Sequence, residues 1–314
     1  MSYIQQAYKG KKGIWRFIIT SLIVMSPFLL NIAFYILLPE LFESAMKEHG
    51  SMNSNFDLLT SLATFAIFLG LLFILVRFLH QRSVTSLITS RKKTDWKRVF
   101  FAFGLWFFIS TSMLGLEYFS APENYQWNFD LYPFIGLVII SLIFMPLQTS
   151  FEELLFRGYL MQEIGILVKN KWFPLFFTSI LFGLMHSFNP EVEKLGPIVM
   201  VFYIGTGLLL AIITLMDEGT ELALGFHAAN NITAAIFITT NWTVFQTEAL
   251  LLDTSEPKMN FQVLLPVLII YPIIILIFSK IYGWTSWKEK LFGKITKPKQ
   301  ENKRFFKEDS MLEL

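Results

Sequence analysis

The sequence predicts an all-α fold, a polytopic transmembrane helical bundle of about eight spans. Three observations carry this. The 314 residues are 54% hydrophobic and 17% aromatic, and only 16% are charged, whereas about a quarter of an ordinary soluble domain is charged. The apolar residues come in blocks of about twenty, enough to cross a hydrocarbon core of roughly 30 Å. The basic residues are distributed unevenly between the loops that separate those blocks.

Taken in order, hydropathy places the spans at roughly 14–38, 58–79, 98–116, 131–156, 172–188, 197–216, 221–240 and 261–282. Lys9, Lys11, Lys12 and Arg16 precede the first, as in a signal peptide. Its apolar run is too long for one, however, and no small-residue cleavage site follows. It reads as a retained span. Eight spans put both termini on one side, expected to be the cytoplasmic side of a prokaryotic plasma (inner) membrane. The loops 39–57, 117–130, 189–196 and 241–260 then face outward and hold only Lys47, Lys194 and Lys258, leaving 23 of the 26 basic residues inside. Anionic leaflets and the membrane potential retain Lys and Arg on the cytoplasmic face, so span count and charge agree.

The chain divides into N-terminal helices over 1–130, a core over 131–240, and an outward loop, last helix and basic tail over 241–314. No internal repeat is present. The clusters Arg91-Lys92-Lys93 and Lys97-Arg98, and the tail from Lys288 to Lys307, read as interfacial anchors, with the tail partly disordered. A net charge of +2 gives no reason to expect a nucleic-acid partner; the partners are the lipid bilayer and whatever the core binds. The absence of cysteine removes disulfides, thiolate nucleophiles and cysteine-ligated zinc together. Asn241-Trp242-Thr243 matches a glycosylation acceptor pattern too short to carry weight.

Polar side chains inside apolar blocks are the informative positions, because an ionisable group in hydrocarbon costs at least about 2.5 kcal/mol and needs a partner, a cavity or a function. In Phe151-Glu152-Glu153-Leu154-Leu155-Phe156-Arg157, Glu153 and Arg157 are four apart and share a helix face. Glu153 is expected to stay ionised and structural, leaving Glu152 freer to hold or take a proton. The bland reading is that span four ends near Ser150 and both carboxylates sit at the surface. His186 follows Phe182-Gly183-Leu184-Met185 near the end of span five and, taken alone, reads more readily as a hydrogen-bonded structural histidine than as a catalytic one. His227 and Asn231 in span seven are four apart, with alanines between them, which suits interhelical hydrogen bonding as well as chemistry. Gly205-Thr206-Gly207 reads as helix packing.

Depth brings the positions together. Spans four and five form a hairpin turning near Lys169 to Lys171, and Glu152 and His186 lie at similar distances on either side, roughly 24–27 Å at 1.5 Å per residue. His227 and Asn231 lie roughly 15–20 Å beyond the turn near Asp217 to Thr220. Two carboxylates, two imidazoles and a carboxamide converging in hydrocarbon are costly to keep for packing alone.

Glu152-Glu153 with Arg157, then Phe182 with His186, then His227 with Asn231 stand in order on three separate spans, within 131–240. In this the sequence resembles the CPBP family, the Abi or type II CAAX-prenyl-protease group of intramembrane proteases, which carries Glu-Glu-x-x-x-Arg, Phe-x-x-x-His and His-x-x-x-Asn on successive core helices. The resemblance implies an active site in spans four to seven, with Glu152 as the general base on water, assisted by His186. It implies His227 and Asn231 as donors to the oxyanion, with Glu153 and Arg157 holding the site in shape. It implies no obligatory cofactor, although zinc or another divalent metal on Glu152, His186 and His227 is an open alternative. His-Glu-x-x-His, Gly-x-Ser-x-Gly and Gly-x-Gly-Asp are all absent, Gly205-Thr206-Gly207 being followed by Leu208. The expected activity is hydrolysis of a peptide bond in a membrane-bound peptide or protein. Two other readings are a non-catalytic scaffold or bacteriocin-immunity-type protein, and a proton-coupled transporter, which would call for inverted repeats and broken helices.

Overall fold

The computed structural model describes residues 1–49, 54–257 and 261–298, so the tail beyond residue 298 and Lys258 lie outside the described residues. Helices run back and forth between two ends of a bundle. At the basal end are residues 3–12, the 80–95 segment and the turns at 169–171 and 218–220; at the distal end are the 121–130, 185–198 and 238–257 segments.

Helices α1 (Ile14–Val24) and α2 (Ser26–Leu37) correspond to the first expected span, but the chain bends by 68° between them. Pro27 lies just after the bend and has no N–H to continue α1 through it. A short α3 (Pro39–His49) follows. Helices α4 (Asn55–Leu79), α5 (Trp96–Ser120), α6 (Leu131–Val168) and α9 (Val199–Asp217) are each long and apolar enough to cross a bilayer, and the bent α1–α2 pair makes a fifth candidate. The other three expected spans are shorter helices: α7 (Trp172–Leu184), α10 (Glu221–Phe237) and α11 (Pro266–Tyr282). Between α7 and α9 lies α8 (Pro190–Leu195), and α12 (Trp287–Phe292) follows α11. Apolar side chains such as Ile67 and Phe78 of α4, Phe108 of α5 and Ile139 of α6 point out of the bundle, as a lipid-facing belt requires.

Two elements depart instructively from hydropathy. Helix α6 is 38 residues long, about 55 Å, so it runs well past the expected end at 156 and carries its last turns beyond the hydrocarbon. It contains Pro146 and a π-helical stretch, Leu154–Leu160, immediately after the two glutamates; such stretches recur at functional sites. Helix α10 is only moderately apolar yet largely buried, packed between α5 and α6. Because its neighbours shield it from lipid, it can carry His227, Asn230 and Asn231.

The distal end holds a small sheet that the all-α expectation did not include. Strands β1 (Tyr125–Trp127) and β3 (Leu251–Asp253) pair antiparallel, Tyr125 opposite Asp253, and β2 (Ile238–Thr239) joins β3 in parallel. Strands of two or three residues are too short to show alternation in the sequence. At the basal end, the N-terminal 3₁₀ turn Ile4–Lys9 lies against the end of α6, with Tyr3, Ile4 and Ala7 buried. A Cβ at Gly165 would meet Ile4 Cγ2 at 2.6 Å, so only glycine allows this approach. Arg91 and Arg98, expected as interfacial anchors, form ion pairs: Arg91 with Asp217 (2.9 Å) and Glu221 (3.2 Å), Arg98 with Asp217 (3.3 Å).

Candidate active site

Glu152, Glu153, Arg157 and His227 meet where α6, α7, α9 and α10 converge, with Asn231 one turn further along α10 and His186 in the turn beyond α7. Arg157 is fully buried and organises the floor. Its Nη1 donates to Glu153 Oε1 (2.9 Å), its Nη2 donates to the carbonyl of Gly207 (3.0 Å), and its guanidinium lies over the Phe182 ring (4.4 Å). The approach to α9 depends on Gly207, where a Cβ would sit 2.7 Å from the carbonyl oxygen of Ser179 on α7. The stretch Gly205-Thr206-Gly207 therefore serves packing, as expected, and one of its carbonyls also anchors the arginine.

His227 bridges the two carboxylates. Its Nδ1 donates to Glu153 Oε1 (2.8 Å), and its Nε2 lies 3.5 Å from Glu152 Oε2. The pairing of Glu153 with Arg157 follows the sequence reading, as does the separation of Glu152 from the arginine: Glu152 has no bond to it, and its Oε2 is buried without a hydrogen-bond partner. Glu153 Oε2 and Arg157 Nε are likewise buried and unbonded. Buried polar atoms of this kind are rare in folded proteins and call for a specific explanation.

Asn231, one turn beyond His227, donates from Nδ2 to Gln148 Oε1 (3.0 Å), leaving its second amide hydrogen free. Its Oδ1 accepts from Asn230 Nδ2 (3.2 Å), and Asn230 Oδ1 in turn accepts from the Trp106 indole (3.2 Å). The chain Trp106–Asn230–Asn231–Gln148 fixes the carboxamide between α5 and α6. Gln148 escaped the sequence reading. Its signal is positional: it stands one turn before Glu152 and so shares that face of α6.

His186 lies just past the end of α7, in the turn that follows Leu184. Its Nδ1 is 2.8 Å from the Phe182 carbonyl. A carbonyl only accepts, so Nδ1 carries the hydrogen and Nε2 presents a lone pair. The Phe182 ring stands between the two imidazoles, 4.9 Å from His186 and 5.8 Å from His227, centre to centre. Among the described residues no hydrogen bond or ion pair joins His186 to Glu152.

The alternative metal set of Glu152, His186 and His227 does not fit this geometry. Among the described residues no three His, Asp or Glu side chains gather closely enough to hold a metal ion.

Ten residues along α6 from Glu153 lies a second buried polar cluster. Glu163 pairs with Arg82 (3.3 Å), which also donates to Gln162 Oε1 (2.9 Å), and Gln162 donates to the Ser86 carbonyl (2.9 Å). His80, just past α4, has its Nε2 within 3.1 Å of both the Tyr159 and Thr20 hydroxyls. Burial, with the nearby Arg82 and Arg16 charges adding to it, pulls His80 down to about 4. His80 is therefore a neutral imidazole at ordinary pH.

A helical bundle with long apolar helices and an apolar outer belt defines an integral membrane protein. A family model described as Type II CAAX prenyl endopeptidase Rce1-like matches residues 131–233, a stretch containing Gln148, Glu152, Glu153, Arg157, His186, His227 and Asn231. The chain is 31% identical over 248 residues to the Uncharacterized protein YyaK of Bacillus subtilis (strain 168), which covers 76% of this chain and 82% of the relative. No solved structure matches. The chain belongs to the Rce1-like family of CAAX-protease-like membrane hydrolases.

Proposed function

We propose that the chain is an intramembrane endopeptidase that hydrolyses a peptide bond of a membrane-associated peptide or protein, with Glu152 as general base on water. The supporting observation is the unbonded, buried Glu152 Oε2 beside a Glu153 held by both Arg157 and His227. A carboxylate whose charge is already held by a guanidinium and an imidazole N–H, as Glu153 is, is a poorer base than a neighbouring carboxylate in the same desolvated site with no arginine on it.

In this reading water sits between Glu152 Oε2 and the scissile carbonyl. Glu152 takes its proton as the oxygen adds to the carbonyl carbon. His186 Nε2, the free lone pair of that ring, orients the same water. The oxyanion accepts from the free Nδ2–H of Asn231 and from the Nε2 side of His227. Glu152 returns the proton to the leaving amine as the tetrahedral intermediate collapses. No step calls for a metal.

The core over 131–240 is the catalytic unit, with 1–130 and the last helix enclosing it. The membrane is the plasma membrane of a prokaryote, with the basal end and both termini in the cytoplasm. Purified protein in lipid, presented with a library of membrane-tethered peptides, tests the reading when wild type is compared with Glu152→Gln, each with and without a strong chelator. Cleavage lost in the variant and indifferent to chelator is expected. Equal cleavage by a folded Glu152→Gln protein would overturn the assignment of the base. Chelator-sensitive cleavage would restore a metal, and no cleavage by either protein would turn attention to a scaffold or immunity role.

A further inference from the structure

We propose that Tyr203, anchored by Glu191, is a positioning residue that fixes the plane of the His186 imidazole. His186 needs such a device. It lies beyond the last residue of α7, in a turn, and the one side-chain hydrogen bond it makes among the described residues, from Nδ1 to the Phe182 carbonyl, leaves the ring free to swing about that bond. The Tyr203 ring, on the second turn of α9, covers one face of the imidazole at 4.3 Å between centres with 20° between planes. A stacked neighbour removes the swing while leaving Nε2 uncovered at the ring edge.

Tyr203 is itself held at its far end. Its hydroxyl donates to Glu191 Oε1 and accepts from Asn189 Nδ2 (3.1 Å), and Asn189 Nδ2 also reaches Glu191 Oε1 (3.0 Å). Glu191 Oε2 accepts from the backbone N–H of Val244 (3.0 Å), in the distal segment that follows β2. Glu191 is buried and bonded on both oxygens, unlike Glu152, so it has the character of a fixed anchor and not of a base. One carboxylate thereby ties together the turn bearing His186, the start of α9 and the distal loop. It also assigns a task to part of that loop, which hydropathy left without one. Neither Tyr203 nor Glu191 touches Glu152, Asn231 or His227 through any hydrogen bond or ion pair among the described residues, so their effect on the site passes through His186.

This inference rests on the reading of His186 as a member of the site, and its test separates the two. The chain has four histidines, so ¹⁵N-histidine spectra of the full chain in lipid nanodiscs assign by single substitution, and His80 and His227 report whether the fold is intact. Wild type is expected to show His186 as a single Nδ1–H tautomer. Tyr203→Leu is expected to broaden or split that signal alone and to lower kcat on a membrane-tethered peptide by about 10²-fold with KM little changed. Tyr203→Phe keeps the stacked face but loses the anchor, so its effect on both readouts should be smaller and in the same direction. Glu191→Gln still accepts from the hydroxyl and should recover most of the wild-type signal and rate, whereas Glu191→Leu should match Tyr203→Phe. If Tyr203→Leu does not fold, Tyr203→Phe and Glu191→Leu decide the matter by the same signal. An unchanged His186 resonance in folded Tyr203 and Glu191 variants overturns the positioning role, whatever the activity. A disturbed His186 resonance combined with full activity of His186→Ala upholds the positioning and overturns the place of His186 in catalysis.

Discussion

The same helix, α6, carries two buried clusters of acid, arginine and histidine, and they are built to opposite ends. In the basal one Glu163, Arg82, Gln162 and His80 are closed into a network in which Arg82 Nε is the only buried side-chain atom of those four residues left unbonded. In the central one both Glu152 and Glu153 keep a buried, unbonded oxygen, and Arg157 Nε is also free. A network closed on itself stabilises a fold, whereas buried groups left open cost stability and are retained where something else must occupy the opening. The contrast fits a structural role for the basal cluster and supports the proposed chemistry at the central one.

The largest effect expected from this contrast is on turnover. Glu152→Gln should lower peptide hydrolysis by about 10²–10⁴-fold while the thermal midpoint in lipid stays level or rises, since the substitution removes a desolvated charge. A large drop in midpoint would mean that Glu152 belongs with the structural groups. Asn231→Ala should cost about 10²–10³-fold in kcat, measured on the same peptides. Gln148→Leu should show a smaller loss in the same direction, because it frees the carboxamide without removing it.

Arg82→Met inverts the pattern: stability should fall by about 3 kcal/mol, the scale for breaking a buried pair, with kcat of the folded fraction unchanged. Equal losses of rate and stability would erase the distinction between the clusters. The smallest effect concerns pH. His80 titrates near 4 in the folded chain against about 6.5 when unfolded, so the unfolded state binds more protons between those values. Stability should therefore decline as pH falls from roughly 6.5 towards 4, and His80→Gln should flatten that part of a midpoint-against-pH curve. An identical slope in the variant would show that other groups carry the acid sensitivity.

The membrane class, the helical segments of the core, the turns at 169–171 and 218–220, and the pairing of Glu153 with Arg157 were all legible in the chain itself. The reason is that each rests on local physics: hydrocarbon thickness sets segment length, and 3.6 residues per turn puts Glu153 and Arg157 on one face. The motif order also anticipated that Glu152 and His227 lie side by side, because each sits on a helix at a depth that chain length determines.

What only the tertiary structure decided involves partners distant in sequence. His227 reaches both glutamates across seventy-four and seventy-five residues, Asn231 is held by Gln148 of α6, and Tyr203 and Glu191 brace His186 from elements that hydropathy treats as a span and a loop. The break at Met25, the extension of α6 and the tolerance of polar groups in α10 belong here too. Hydropathy measures what a segment would gain facing lipid, and it is blind to a helix that faces other helices instead.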